Sequence, residues 1–319
     1  MKRYAQHGAA IVMAMLTVVL VTTMASVALW QQWRAVEVES AERTRAQATW
    51  VLMGALDWAR LILKEDARKG GADHLAEPWA LALEQARLST FLATDRSSSL
   101  DGDASQNAFL SGHMVDLQSR LNITNLVQDG KVHGATVQMF ARLFDQLGLD
   151  PRLLETMLAQ LLLSVSDKPQ APLRPQDLDQ LAWLGVDADS IERLRPFVTL
   201  LPERTPVNLN TASPLVLVAC LGIHPAAAQQ LVQARNLNPW DNLEAVRAVA
   251  PSSMRALETQ AVSTQSRFFE LRGTLQIDKH TVHETSVVQR DGLQIKTLWR
   301  KRTIGAAAGK PRPPTYNGV

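Results

Sequence analysis

The sequence predicts an α+β fold in which one long N-terminal helix packs on an antiparallel sheet and a large all-α domain lies between two parts of that architecture. Three observations carry this. An apolar run, Ala9 to Trp33, has no ionisable side chain and flows into an amphipathic segment. The C-terminal region alternates apolar and polar residues around an Asp-Gly pair, and the stretch from about Val132 to Thr264 has a helical period instead.

As a helix, the Ala9–Trp33 run is roughly 37 Å long against about 30 Å of bilayer hydrocarbon, so it can span a membrane. Lys2 and Arg3 precede it and Trp30 and Trp33 close it, which puts the N-terminus in the cytoplasm and the bulk of the chain in the periplasm or exterior. A cleaved secretory signal has a shorter apolar core and an A-x-A-like site, both absent here. Beyond the membrane Leu52, Leu56, Ala59 and Leu63 form one row with Val51, Ala55, Trp58 and Ile62 beside it, and Asp57, Arg60 and Lys64 share the opposite face. Gly70-Gly71 ends this helix.

Further along, Val137, Phe140, Leu143, Phe144 and Leu147, then Leu153, Met157 and Leu161, mark helical stripes, and SDKPQAPLRP (166–175) is a proline-rich connector. LAWLGVDADSIERL (181–194) and VACLGIHPAAAQQL (218–231) share a Leu-Gly-apolar step at an offset of about 37 residues. Their similarity predicts two helix-turn-helix hairpins packed as a pair. In FFELRGTLQI, Phe269, Leu271, Leu275 and Ile277 fall on one face. A second strand, about Thr281–Gln289, leads into Asp291-Gly292, a type I′ hairpin signal, and a third places Leu293, Ile295 and Trp299 on one side. A sheet of this kind needs a cover, and the Val51–Leu63 stripe supplies one.

Thirty-three basic and 31 acidic residues nearly cancel, so no global field draws the chain to nucleic acid. Cys220, the single cysteine, reads as a buried apolar residue. No H-x-x-x-H, H-E-x-x-H, C-x-x-C, P-loop or dinucleotide fingerprint occurs, and no nucleophile-base pair supports a membrane-tethered hydrolase. His280 and His283 straddle a strand start and are expected to face solvent or each other.

The leader MKRYAQHG, ending at Gly8 directly before the apolar run, resembles the prepilin signal, which implies cleavage between Gly8 and Ala9 by prepilin peptidase. Pilin-like proteins commonly carry glutamate at the fifth mature position; here that position is Met13. A carboxylate that meets no neighbouring amino terminus is costly in lipid, so Met13 suggests a tip subunit. SGHMVDLQSRLNITNL resembles the D-x-Q-x-R-x-N-x-N-L run of the general secretion pathway K family, with one extra residue between the two asparagines, as Asp116, Gln118, Arg120, Asn122, Asn125 and Leu126. Together with VNLNTA, which supplies Asn208, Asn210 and Thr211, and the last strands, the whole chain from about residue 4 to 303 is similar to the K minor pseudopilins of type II secretion. On their own terms, the Asn and Asp residues of the polar run also suit a strand and turn in which side chains bond their own backbone.

The resemblance implies a pilin-like fold interrupted by an inserted all-α domain. It divides the chain into a leader (1–8), a transmembrane helix (9–33), an N-terminal pilin-like part (34–130), the insertion (131–264), closing strands (265–304) and a tail (305–319). It implies a non-enzymatic subunit at the tip of the periplasmic pseudopilus. Such a subunit initiates assembly with the minor pseudopilins I and J, and H, in the inner membrane, and supports export of folded proteins across the outer membrane. Leu16, Leu20 and Val27 are helix-packing positions. The family is associated with bound calcium, for which Asp101 and Asp103 in SSSLDGDAS are candidate ligands.

The alternative is a type IV pilus minor pilin or a DNA-binding competence protein, because VNLNTASPLVLVACLGIHPAAAQQLVQARN resembles a helix-hairpin-helix segment. That motif grips phosphate through backbone N–H groups in a G-x-G turn. Here the second glycine is replaced by His224, Pro225 removes a donor, and the other copy carries Asp187 at that place. No nucleic-acid partner is expected.

Overall fold

The structure, a computed structural model, describes residues 7–88, 108–166, 171–251, 260–277 and 280–306. Lys2, Arg3, Asp101, Asp103, residues 167–170 of the proline-rich connector and the tail from 307 lie outside them. The chain divides into two units, residues 1–54 and 55–319.

In the first unit the chain is helix α1 (His7–Lys69), which carries on into the second. Its apolar window has a mean hydropathy of 2.3, none of it buried, and is long and apolar enough to cross a membrane. Threonine and serine hydroxyls within it donate back to carbonyls three or four residues earlier, as Thr22 does to Val18 and Ser26 to Thr22, so these polar groups are satisfied within the helix, as an apolar surrounding requires.

The second unit opens with the last turns of α1. Lys69 is its final residue, and Gly70 (φ +66°) and Gly71 (φ +111°) adopt the left-handed backbone that stops it. Five strands follow: β1 (Leu83–Arg87), β2 (Ala108–Asp116), β3 (Phe268–Ile277), β4 (His280–Asp291) and β5 (Gln294–Ala306), in the order β1-β2-β3-β4-β5, all antiparallel. Leu56, Ala59 and Leu63 of α1 bury against Trp79, Phe269, Leu271 and Val288, the docking expected from the stripe. Trp79 meets Phe269 edge to face with ring centroids 5.1 Å apart.

Several strand details differ from the alternation read in sequence. Besides the three expected strands, two from before the helical stretch complete the sheet, β2 pairing with β3. Phe268 and Val287 are as buried as their neighbours Phe269 and Val288 because both sheet faces are covered here, one by α1 and the other by Leu117 and Leu201. The β4–β5 register slips between Val287 and Val288, leaving Leu298 as the extra residue, so Trp299 lies opposite Val287 while Ile295 packs on the α1 side. Ile295 and Trp299 are therefore on opposite faces, a direct result of the bulge. Asp291 pairs with Gln294, so the turn residues are Gly292 and Leu293, and only Gly292 (φ +56°) has positive φ. This is the glycine-first II′ pattern, not I′, and Leu293 is an exposed turn residue. His283, half-buried, sits inside β4 and bonds Thr274 at 2.9 Å across the strands, while the side chain of His280 lies outside what the structure describes.

Between β2 and β3 run α2 (Gly134–Gln146), α3 (Pro151–Ser164), α4 (Ala188–Leu194), α5 (Pro214–Leu221), α6 (Pro225–Leu237) and α7 (Leu243–Val249). They close on one core that includes Leu121, Phe140, Phe144, Met157, Leu217 and Trp240. Both hairpins form, each turning at a left-handed glycine, Gly185 (φ +85°) and Gly222 (φ +63°). The first half of the earlier copy is a 3-10 helix, Leu178–Leu184. The hairpins do not pack chiefly on each other: α2 is the main neighbour of α5, and the 3-10 helix packs on α3 as much as on its own hairpin partner α4. A preceding helical pair thus comes between the two copies.

Candidate functional site

Where the sheet hands over to the helices, a buried polar junction forms around Asp116. Placed at the end of β2, Asp116 is 3% exposed and begins the 3-10 turn Leu117–Ser119 by accepting from the Gln118 backbone N–H at 2.7 Å. Its other oxygen accepts from Thr211 Oγ1 (2.5 Å), Ser266 Oγ (2.6 Å) and Asn208 Nδ2 (3.1 Å). Burial pushes the Asp116 carboxyl up to about 6, although the hydroxyls of Ser266 and Thr211 and the Gln118 N–H hold it down. Three remote chain segments, β2, the start of α5 and the entry to β3, meet on a single carboxylate.

The remaining polar residues of the two runs extend this junction. Gln118 donates to Pro206 O (3.1 Å) and accepts from the Arg267 N–H (2.6 Å). Asn122 donates to Glu203 O (2.8 Å) and accepts from the N–H groups of Thr124 (3.1 Å) and Leu201 (3.2 Å). Asn125 exchanges two bonds with the Thr205 backbone, and Asn210 does the same with Trp240. Such side chains replace a missing strand partner for irregular backbone that would otherwise be buried unsatisfied. Arg120 is separate: it lines a cleft on the outer face of the sheet. Gly8, Ala9 and Met13 belong to α1 in the first unit, with Ala9 and Met13 exposed.

An adjoining ion-pair cluster was not anticipated from sequence. Arg290, at the end of β4, reaches Asp66 Oδ2 at 2.7 Å and both oxygens of Asp73 at 2.5 and 2.6 Å. It also donates to Ser266 O (2.6 Å), and its guanidinium lies 5.0 Å from the Phe269 ring centroid. Asp73 in turn accepts from the Ser266 N–H at 2.7 Å, joining cluster and junction. Burial raises the Asp73 carboxyl, with Arg290 opposing. Glu77, pushed up to about 7 by burial, accepts from Trp79 Nε1 at 2.7 Å and the His74 N–H at 2.9 Å. No pattern in sequence marks these residues; Arg290 stands out only by its place beside the Asp291-Gly292 turn.

Carboxylate oxygens of Asp66, Asp73 and Glu77 lie within 4.8 Å of one another, a spacing that invites a cation. Calcium needs six or more oxygens, yet Asp66 Oδ2 and both oxygens of Asp73 already accept from Arg290, whose cation stands where a metal ion would compete with it. The trio does not fit calcium, and no other such group occurs among the described residues.

At the second hairpin, Arg142 donates to Ala219 O (2.7 Å), capping the carbonyl end of α5 beside Gly222. At the first, Asp187 caps α4 through the Ser190 N–H (3.0 Å) and hydroxyl (2.6 Å), and these bonds hold its carboxyl below the ordinary range. A carboxylate occupies the donors that a phosphate would need. Cys220 is buried, and burial pushes its thiol up to about 12.

Two family profiles, both described as type II secretion system (T2SS), protein K, match residues 119–203 and 207–265, tiling the helical stretch and its polar runs. Among curated relatives, the type II secretion system protein K of Pseudomonas aeruginosa is 28% identical, over 73% of each chain. That of Klebsiella pneumoniae is 25% identical over 94% of this chain and 97% of its own. Among solved structures, a chain of the GspK–GspI–GspJ complex from the enterotoxigenic Escherichia coli type 2 secretion system superposes with a TM-score of 0.63 at 19% identity, covering 82% of this chain and 98% of that one. Profiles and full-length relatives agree, and the chain is similar to the protein K minor pseudopilins of type II secretion systems, with a matching fold.

Proposed function

We propose that this chain is the tip subunit of the periplasmic pseudopilus, that it initiates assembly with the minor pseudopilins I and J, alongside H, and that it works by packing and not by turnover. The single observation that carries this is the pairing of an uncharged apolar helix, in which Met13 stands where a carboxylate would serve a subunit above, with a bulky helical insertion in the sheet. In this reading prepilin peptidase cuts after Gly8, the helix stays in the inner membrane with its N-terminus in the cytoplasm, and the remainder works in the periplasm. The solved complex that this fold resembles contains I and J subunits, which supports their choice as partners. Calcium is assigned to no described residue.

A direct check is affinity isolation of the full chain from detergent-solubilised membranes in which I and J are co-produced. Both are expected to accompany it, and Leu20→Glu, which sets a charge in the apolar packing face, is expected to lower their recovery at least tenfold. Recovery of neither partner with the parent chain would remove the tip assignment.

A further inference from the structure

On the face of the sheet opposite α1, a cleft of about 670 Å³ opens between the strands and the helical insertion. That is the size of sites that enclose several residues of a ligand. Leu298, Trp299 and Lys301 of β5 form one wall, and Arg120, Arg174 and Leu200 belong to the other. Leu298 and Trp299 are 38% and 40% exposed, large apolar groups held at the mouth by the bulge that turns Trp299 to this side. β5 is also an edge strand, with no partner on its outer side among the described residues.

Charge supplies the selectivity. Five basic side chains line the cleft against three acidic ones. Of the acids, Glu270 is paired with Arg272 at 2.5 Å and Asp179 with Arg195 at 2.5 Å. Arg174 and Lys301 are both exposed and stand at either side of the apolar wall, Lys301 near enough to Asp179 to help Arg195 hold that carboxyl below its ordinary range. An extended segment added to the β5 edge would send alternate side chains into the cleft, apolar ones against Trp299 and Leu298 and acidic ones toward these two cations.

We propose that this cleft and the adjoining β5 edge bind an extended segment of a partner polypeptide in which carboxylates alternate with large apolar side chains. The inference goes beyond the tip assignment and does not depend on it.

The test uses the full chain in detergent micelles and two labelled peptides, Ac-EVEWEVE-NH2 and its charge-reversed counterpart Ac-KVKWKVK-NH2, followed by fluorescence anisotropy. The acidic peptide is expected to bind at least about tenfold more tightly than the basic one, with affinity falling as salt rises. Arg174→Glu combined with Lys301→Glu, both surface changes, is expected to weaken it at least about tenfold, and Trp299→Ala to weaken it several-fold, with far-UV circular dichroism unchanged. Equal binding of the two peptides, or undiminished binding by the charge-reversed variant, would overturn the proposal. So would concentration-dependent dimerisation that blocks the cleft, which would assign it to a second copy of this chain.

Discussion

Replacing Arg290 by methionine is expected to lower the thermal unfolding midpoint of the detergent-solubilised full chain by about 10 °C, a loss of roughly 3–5 kcal/mol. Asp73 is 3% exposed in its side chain and Asp66 10%, so removal of the guanidinium strands two carboxylates away from water. It also deletes the bond to Ser266 O and the contact with Phe269. Methionine keeps the apolar stem, which makes the charge and not the volume the variable. Adding Asp73→Asn should recover part of the loss, because the pair is coupled and the two single effects do not add. A midpoint within about 2 °C of the parent would show that the cluster opens to solvent.

The second large effect is expected at Asp116. Asp116→Ala leaves four donors without their acceptor, and buried donors of this kind cost about 1–3 kcal/mol each where they cannot find another partner. Asp116→Asn should be milder, since an amide oxygen still accepts from Gln118 and the hydroxyls of Thr211 and Ser266 can rotate to accept. The pH dependence separates the two roles of the carboxylate. Its folded pKa, about 6, lies above the unfolded value near 3.9, so the folded state holds the proton more tightly. The stabilisation from this proton is complete below about pH 4 and is lost as pH rises through 6. A shift of that size corresponds to at most about 3 kcal/mol. Stability of the parent should therefore fall between pH 4 and 6 relative to Asp116→Asn, and the difference should level off above that range. Parallel curves would mean that Asp116 titrates normally.

These two sites show where sequence is informative and where it stops. The α1 stripe was legible because a 3.6-residue period states both the helix and its buried face, and Leu56, Ala59 and Leu63 do pack on the sheet. The Gly70-Gly71 stop was legible because the left-handed backbone favours glycine. Asp116, Asn208 and Thr211 were singled out by motif, but their convergence was not visible, since 92 and 95 residues separate Asp116 from its two partners. Long-range polar contacts have no period. Arg290, Asp73 and Ser266 carry no motif at all, and only the fold gives them a shared environment. The bulge at Leu298 defeated the alternation for a related reason: one extra residue inverts every side chain after it, and nothing in LQIKTLW marks where it falls. Repeat similarity revealed two hairpins correctly, while their packing was decided by α2 and α3, which share no motif with either.

Taken together, the helix, the junction and the insertion describe a component that is built to be placed. Its buried ionisable groups hold chain segments together, as Asp116 and Arg290 illustrate. Its apolar surface is concentrated in one exposed helix at the N-terminus. The first step in placing it is the fate of that helix, and N-terminal sequencing of the chain isolated from membranes measures this most directly. The account predicts a start at Ala9 in the membrane fraction, and retention of Met1 when Gly8→Trp blocks the cut. An intact Met1 in the parent chain, or a start near Ser26 with the protein released from the membrane, would contradict it.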